Sequence, residues 1–93
     1  MYTIAPGQMD AFVDEWRHGV VPLRRKHGFD IEGAWIDRDG NRFLWLVSYE
    51  GPDGFEARDA DYYASPERAN ISPDPARHIV DSDHRFVEPV ALD

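Results

Sequence analysis

Apolar residues recur at helical spacing from about Gln8 onward. The stripe that they form comprises Met9, Phe12, Val13, Trp16, Val20 and Leu23, which is typical of an amphipathic helix that packs on a core. Gly19 and Pro22 interrupt the stripe, and because proline has no N–H to donate, a kink or break is predicted there. The helix is predicted to end at Lys26-His27-Gly28, since glycine suits the left-handed position after a last turn.

Two apolar strands are predicted next, at Phe29–Asp37 and Arg42–Glu50. The turn Arg38–Asn41 between them contains Asp-Gly-Asn, which supplies the positive φ angles of a tight hairpin. Alternate residues of a strand point to opposite faces. The two predicted faces of the second strand are Phe43, Trp45, Val47 and Tyr49 on one side and Leu44, Leu46 and Ser48 on the other. In the first strand the faces are Phe29, Ile31, Gly33 and Trp35 against Ala34 and Ile36.

The second half of the chain predicts another helix and another strand. Asp53, with Glu56 three residues later, resembles a capping box and is predicted to open the helix. Ser65 followed by proline predicts a further short helical turn. The last strand is predicted at about Arg77–Val90, and Pro89 places its end at an edge or leaves it unpaired.

With a short first strand at Met1–Ile4, the element order is β-α-β-β-α-β within one domain, residues 1–93. This order predicts the α+β ferredoxin-like fold, a four-stranded sheet with both helices on one face. Neither strand of the hairpin shows the apolar and polar alternation of a sheet with one face in water. The face without helices would therefore be a large apolar patch on a monomer. Two such sheets packed face to face would bury it, so a homodimer is predicted.

Charge and composition exclude several classes of partner. The net charge of −8, from 10 Lys+Arg against 18 Asp+Glu, argues against nucleic acid and anionic membranes, which need clustered cations. The one basic cluster, Arg24-Arg25-Lys26, lies at a helix end, where the helix dipole accounts for it. The chain has no cysteine, no apolar run long enough for a membrane span, and no signal-peptide pattern in its first residues. A cytoplasmic protein is predicted.

Four stretches of the chain resemble the NIPSNAP family: Tyr2–Gly7, Val21–Phe29, Gly33–Trp35 and Tyr62–Arg68. This family belongs to the dimeric α+β barrel superfamily. The resemblance therefore implies a homodimer and, in each subunit, a small-molecule cavity between the sheet and the helices. It also implies a few more strand residues before Tyr2, and it implies no particular activity.

Tyr62, Tyr63 and His78 are the candidate catalytic residues. A histidine titrates near neutral pH and a tyrosine can pass a proton, so together they could act on an enolisable carbonyl group. In this hypothesis His78 is the general base, and Tyr63 or Tyr62 is the acid. Adjacent helical residues point about 100° apart, so at most one of the tyrosines is expected to enter a cavity. In the competing interpretation both tyrosines cap the core with their hydroxyls in water.

Four aromatic residues are candidates for the wall of a binding site: Trp16, Trp35, Trp45 and Tyr49. Such walls suit a flat or apolar ligand, although ordinary core packing also explains them. His78 and His84 lie about 20 Å apart on the predicted strand, so they cannot share a metal ion. No metal or other cofactor is predicted. A haem site with an axial histidine is a further alternative.

The leading hypothesis is a homodimeric, small-molecule-binding barrel of NIPSNAP type with a small hydrophobic or aromatic ligand. Its catalytic version is a cofactor-independent cyclase or isomerase that acts by acid–base chemistry on an aromatic or polyketide-like carbonyl compound. The alternatives are a non-catalytic homodimer that binds a ligand or a protein, and a haem-binding barrel. The sequence does not decide between an enzyme and a binding protein.

Overall fold

Four antiparallel strands form one sheet in the computed structural model, which describes residues 1–92. The strands are β1 (Tyr2–Ile4), β2 (Asp30–Asp37), β3 (Arg42–Ser48) and β4 (Ile79–Ser82). Their order across the sheet is β2-β3-β1-β4. Helices connect β1 to β2 and β3 to β4, so the predicted α+β ferredoxin-like fold is confirmed.

The first helical region has three segments: α1 (Met9–Glu15), a π-helical turn (Trp16–Val20) and α2 (Val21–Lys26). Its end confirms the prediction, because Gly28 has a φ of +91°. The amide of Gly28 bonds to the carbonyl of Arg25 at 3.0 Å, and the amide of Phe29 bonds to the carbonyl of Arg24 at 3.0 Å. This is a Schellman motif, and it directs the chain from the helix into β2.

The helix interruption predicted at Gly19 and Pro22 is a π turn in the structure. Pro22 has no N–H for the carbonyl of His18, four residues earlier, so a regular α turn would lack a hydrogen bond there. A π turn contains about one residue more than an α turn, which rotates the following side chains by about 100° relative to a continuous α-helix. Arg24 is therefore buried, whereas Leu23, predicted on the apolar stripe, is only half-buried.

A β-bulge in β2 changes the predicted faces of that strand. Its pairing with β3 shifts between Ile31 and Gly33, so Glu32 is an extra residue. The prediction that Ile31 and Trp35 share a face is therefore wrong. Ile31 packs against the core on the helix side, whereas Trp35 is 53% exposed on the opposite side, where its indole lies over Gly33.

The second helical region comprises α3 (Phe55–Ala64) and α4 (Pro66–Ala69). Ser65 caps α4 as predicted, since its hydroxyl accepts a bond from the Arg68 amide at 3.1 Å. The predicted cap at Asp53 is wrong. Gly54, with a φ of +84°, precedes α3 without a side-chain cap. The Asp53 carboxylate instead accepts a hydrogen bond from the Tyr49 hydroxyl at 2.5 Å.

The last strand is much shorter than the predicted Arg77–Val90. Residues 75–78 form a 3₁₀ turn, β4 follows, and residues 83–92 have no regular secondary structure. The neighbour of β4 in the sheet is β1, which has three residues. Pairing between these strands ends where the Asp83 amide bonds to the Met1 carbonyl at 2.8 Å. A strand needs a partner ladder, so β4 cannot extend beyond its neighbour.

The core lies between the helices and the sheet. Its central buried residues are Ile4, Met9, Phe12, Trp16, Val20, Val21 and Phe43. The Phe12 and Trp16 rings meet the Phe43 ring edge to face, with centroids 5.1 and 4.9 Å away. On the opposite face of the sheet Trp35, Leu44 and Leu46 remain 53%, 39% and 38% exposed.

Candidate ligand-binding site

The guanidinium of Arg24 lies in the interior, with 3% of the residue exposed. Its central carbon stands 3.9 Å from the ring centroid of Tyr62 and 4.6 Å from that of Phe29. The rings of Trp45 and Tyr63 are 5.6 and 5.3 Å away. Arginine stacks well on aromatic faces because its charge is delocalised and weakly hydrated. These contacts bring α2, α3 and β3 together around a single cation.

The hydrogen bonds of Arg24 leave part of the guanidinium unused. One terminal nitrogen donates to the Asp59 carboxylate at 2.6 Å, and the other makes a long bond of 3.4 Å to the Tyr63 hydroxyl. Among the described residues, the buried Nε of Arg24 and the buried hydroxyl of Tyr62 have no partner. Leaving a buried polar group unpaired costs about 1–3 kcal/mol, so both groups are available to a bound polar atom.

Two tyrosine hydroxyls near Arg24, those of Tyr2 and Tyr62, have raised pKa values. Burial raises the pKa of the Tyr62 hydroxyl, against the opposing influence of the Arg24 and Arg68 charges. Burial likewise raises the pKa of the Tyr2 hydroxyl, and a hydrogen bond with Trp45 acts in the opposite direction. Both hydroxyls are thus hydrogen-bond donors. We call Tyr2, Arg24, Trp45, Tyr62 and Tyr63 the arginine–tyrosine cluster.

A surface groove lies beside α3, next to the residue that pairs with Arg24. This groove of about 300 Å³ is lined by Phe55, Glu56, Asp59, Ala60, His84 and Phe86. Asp59 is therefore shared, since it lines the groove and also pairs with Arg24. Tyr63, the other hydrogen-bond partner of Arg24, is 54% exposed. The link between the groove and the buried guanidinium is the Asp59 carboxylate.

The structure separates the candidate catalytic residues. Tyr62 is 1% exposed and Tyr63 is 54% exposed, in keeping with the angle between adjacent helical residues. His78 is buried, and its ring nitrogens contact the Gln8 side-chain oxygen at 2.5 Å and a Glu15 oxygen at 3.2 Å. No hydrogen bond or ring contact within residues 1–92 joins His78 to either tyrosine.

His78 thus ties the 3₁₀ turn to the start of the first helical region. Arg77 reinforces the same attachment with bonds of 2.5 and 2.8 Å to the two Glu15 oxygens. Both ring nitrogens of His78 have partners in this arrangement, Gln8 and Glu15, and these contacts connect the turn to the first helical region.

The four aromatic residues predicted to line a binding site also lie in different parts of the structure. Trp45 belongs to the cluster, and Trp16 packs edge to face on Trp45 with 5.4 Å between ring centroids. Tyr49 contacts Phe29 at 5.4 Å and so lies one ring away from Arg24. Trp35 lies on the opposite face of the sheet, away from the cluster.

Sequence reasoning missed Arg24. The cation falls next to Arg25 and Lys26 at a helix end, where the helix dipole explains all three. The signal that could have identified it is Pro22. One extra residue in the preceding turn brings Arg24, instead of Leu23, into line with Trp16 and Val20.

The sequence profile of the NIPSNAP family matches residues 1–92. The chain belongs to the NIPSNAP family. The resemblance inferred from the sequence is therefore confirmed. No curated protein matches the chain.

The NIPSNAP chain is also similar in structure to an uncharacterized NIPSNAP domain protein from Burkholderia xenovorans, known from its crystal structure. The TM-score is 0.81 at 17% sequence identity, over 99% of this chain and 91% of that one. A likeness at this identity establishes the shared fold. Within residues 1–92 of the NIPSNAP chain, no group of three His, Asp or Glu residues is placed to hold a metal ion. No helix in the described residues is long and apolar enough to cross a membrane.

Proposed function

We propose that this NIPSNAP domain binds a flat, largely apolar small molecule at the arginine–tyrosine cluster, between the helices and the sheet. The observation that carries the proposal is the buried guanidinium of Arg24 with an unpaired Nε, stacked on Tyr62, whose hydroxyl is also buried and unpaired. Ligand sites of this type combine aromatic walls with a few polar groups that fix the orientation of the ligand.

A purely structural role explains the cluster less well. Stacking against Phe29 and Tyr62 would account for the apolar stem and the faces of the guanidinium. It would not account for an arginine Nε and a tyrosine hydroxyl that are both buried without partners, because native proteins pair the great majority of such groups. A bound molecule with hydrogen-bond acceptors would supply the missing partners.

The catalytic version of the proposal uses Tyr62 as the hydrogen-bond donor to the oxygen of a carbonyl compound, as in a cofactor-independent cyclase or isomerase. The raised pKa of its hydroxyl keeps it protonated, and its position beside Arg24 supplies the positive charge that a developing oxyanion needs. His78 has no part in this version, since its partners are Gln8 and Glu15. The non-catalytic alternative uses the same contacts to hold a ligand unchanged.

Calorimetric titration with 2-naphthol and with 1,4-naphthoquinone tests the binding proposal. We expect one site per chain for at least one of these probes. Tyr62→Phe removes only the hydroxyl at the site, so it should weaken 2-naphthol binding about tenfold, the effect of losing one hydrogen bond. Tyr49→Phe, which removes a hydroxyl bonded to Asp53 outside the cluster, is the matched control and should bind as the native protein does. If the native protein binds neither probe, the proposal is overturned.

A further inference from the structure

We propose that Arg24 binds the reacting oxygen of the ligand, and that the ligand is a neutral, flat enol or enolisable carbonyl compound that becomes an oxyanion only within the site. This inference deepens the proposed function and rests on it. It assigns a residue that the sequence did not single out, and it selects one chemical class among flat apolar molecules.

The hydrogen-bond donors of the site determine which type of ligand atom can bind there. A guanidinium has five N–H groups and no acceptor, and it keeps its charge at all ordinary pH values. Asp59 and Tyr63 take one donor each at the terminal nitrogens, which leaves three N–H groups, among them that of the wholly unpaired Nε. The ligand atom that meets it must be an acceptor, such as a carbonyl or enolate oxygen.

The charge at the groove beside α3 disfavours ligands that are already anions. Glu56 and Asp59 line the groove, and the chain carries a net charge of −8. A negative field of this kind lowers the local concentration of carboxylates and phosphates. A neutral molecule enters without that penalty and meets positive charge only when its oxygen reaches Arg24.

The chemical step is a loss of one proton. The enol O–H bond breaks, its proton passes to water on the exposed side of Tyr63, and the electron pair stays on the oxygen as an oxyanion. A buried cation with a fixed donor stabilises that oxyanion more than it stabilises the neutral enol. Arg24 provides this preference without giving up a proton of its own.

The local fold supports the assignment of Arg24. An ordinary α-helix would direct Leu23 toward the core at this level, and an apolar side chain among aromatic rings would pack without unpaired donors. The π turn instead directs Arg24 inward, and π turns of this type occur often at functional sites. The neighbouring Arg25 is exposed, so the chain contains a matched arginine in the same helix.

Spectroscopic titration of 2-naphthol tests the inference, because its hydroxyl is enol-like and its ionised form absorbs at longer wavelength. In the native protein we expect the pKa of bound 2-naphthol to fall by at least about one unit below that of the free compound, which corresponds to about tenfold tighter binding of the ionised form. Arg24→Gln should abolish the shift, and Arg25→Gln should leave it unchanged. 2-Naphthoate, with the same rings and a permanent negative charge, should bind more weakly than 2-naphthol at neutral pH.

The possible outcomes separate this inference from the proposed function. If 2-naphthol binds at the cluster without a pKa shift, or if the shift survives in Arg24→Gln, the role of Arg24 is overturned while the binding function stands. Tighter binding of 2-naphthoate than of 2-naphthol overturns the preference for a neutral ligand. Arg24→Lys is a second variant, which retains the charge but lacks Nε and the planar face. Its shift should be smaller than the native one, and circular dichroism should be used to check that each variant is folded.

Discussion

At the scale of single residues, Arg24 combines burial with incomplete hydrogen bonding. It is 3% exposed, and its Nε has no partner among the described residues. Replacing a buried ion pair by apolar groups of similar volume is often neutral or stabilising. Stability alone therefore gives little reason to place an arginine between Tyr62 and Phe29, whereas recognition of a ligand oxygen does.

If Arg24 serves ligand recognition and not stability, the stability of two Arg24 variants can be predicted. Arg24→Met keeps an unbranched stem against the rings but leaves the partly exposed Asp59 carboxylate without its partner, so the free energy of unfolding should fall by only about 1 kcal/mol. Arg24→Ala also removes the packed stem and should lower the free energy of unfolding by about 2–3 kcal/mol. Urea denaturation measures both. A loss above about 3 kcal/mol in the methionine variant would mean that the charge itself holds the fold together.

At the scale of elements, contacts between α1 and the 3₁₀ turn at Pro75–His78 fix the position of β4. Glu15 receives bonds from Arg77 and contacts His78. The bond from Arg77, together with that from His78, holds the pKa of the Glu15 carboxyl below its ordinary value of 4.5. His78, predicted as a base, takes part in this attachment through its contact with Glu15.

The attachment predicts a dependence of stability on pH. Since the folded pKa of Glu15 lies below the unfolded one, its contribution is fully present above about pH 4.5 and is lost as pH falls through the folded pKa. Glu15→Gln should reduce the decline in unfolding free energy below pH 4.5, whereas Glu88→Gln, at an exposed carboxyl, should leave it intact. Urea denaturation across the acid range measures this decline. Identical acid profiles in native protein and Glu15→Gln would exclude the predicted role of Glu15.

At the scale of the whole molecule, the helices leave one face of the sheet uncovered. Trp35 pairs with Leu44 across β2 and β3 on that face, and Leu46 lies two residues further along β3. All three are large apolar residues and each is more than a third exposed. A contiguous apolar patch of this kind marks an interaction surface. We propose that a second copy of the chain covers it, as the sequence pattern predicts.

Light scattering tests the proposed homodimer. The native protein should show twice the chain mass of 10.7 kDa at micromolar concentration. Leu46→Lys places a charge in the centre of the uncovered face and should yield monomers, because an unpaired buried charge is costly. Leu92→Lys alters an equally apolar residue that is 97% exposed in the C-terminal segment, and it should remain dimeric. A native protein with the mass of one chain would refute the dimer.

The sequence by itself determined the order of the elements, the family and the two-sided apolar hairpin. Gly28, the capping Ser65 and the apolar stripe of the first helix act through contacts within a few residues, so their effects can be predicted from the chain alone. Tertiary structure decided the rest. The bulge at Glu32 depends on pairing between β2 and β3, and the end of β4 depends on the length of β1.

The position of Arg24 shows why the candidate site could not be predicted from the sequence. A change of about one residue in the preceding turn decides whether Leu23 or Arg24 faces the interior, and the rings that receive the guanidinium come from distant segments, α3 and β3. Local patterns specify each element, but which side chain enters the core depends on small rotations that are fixed only when the elements pack together. The sequence thus determined the scaffold, and the packing of its helices on the sheet placed a buried cation among tyrosines.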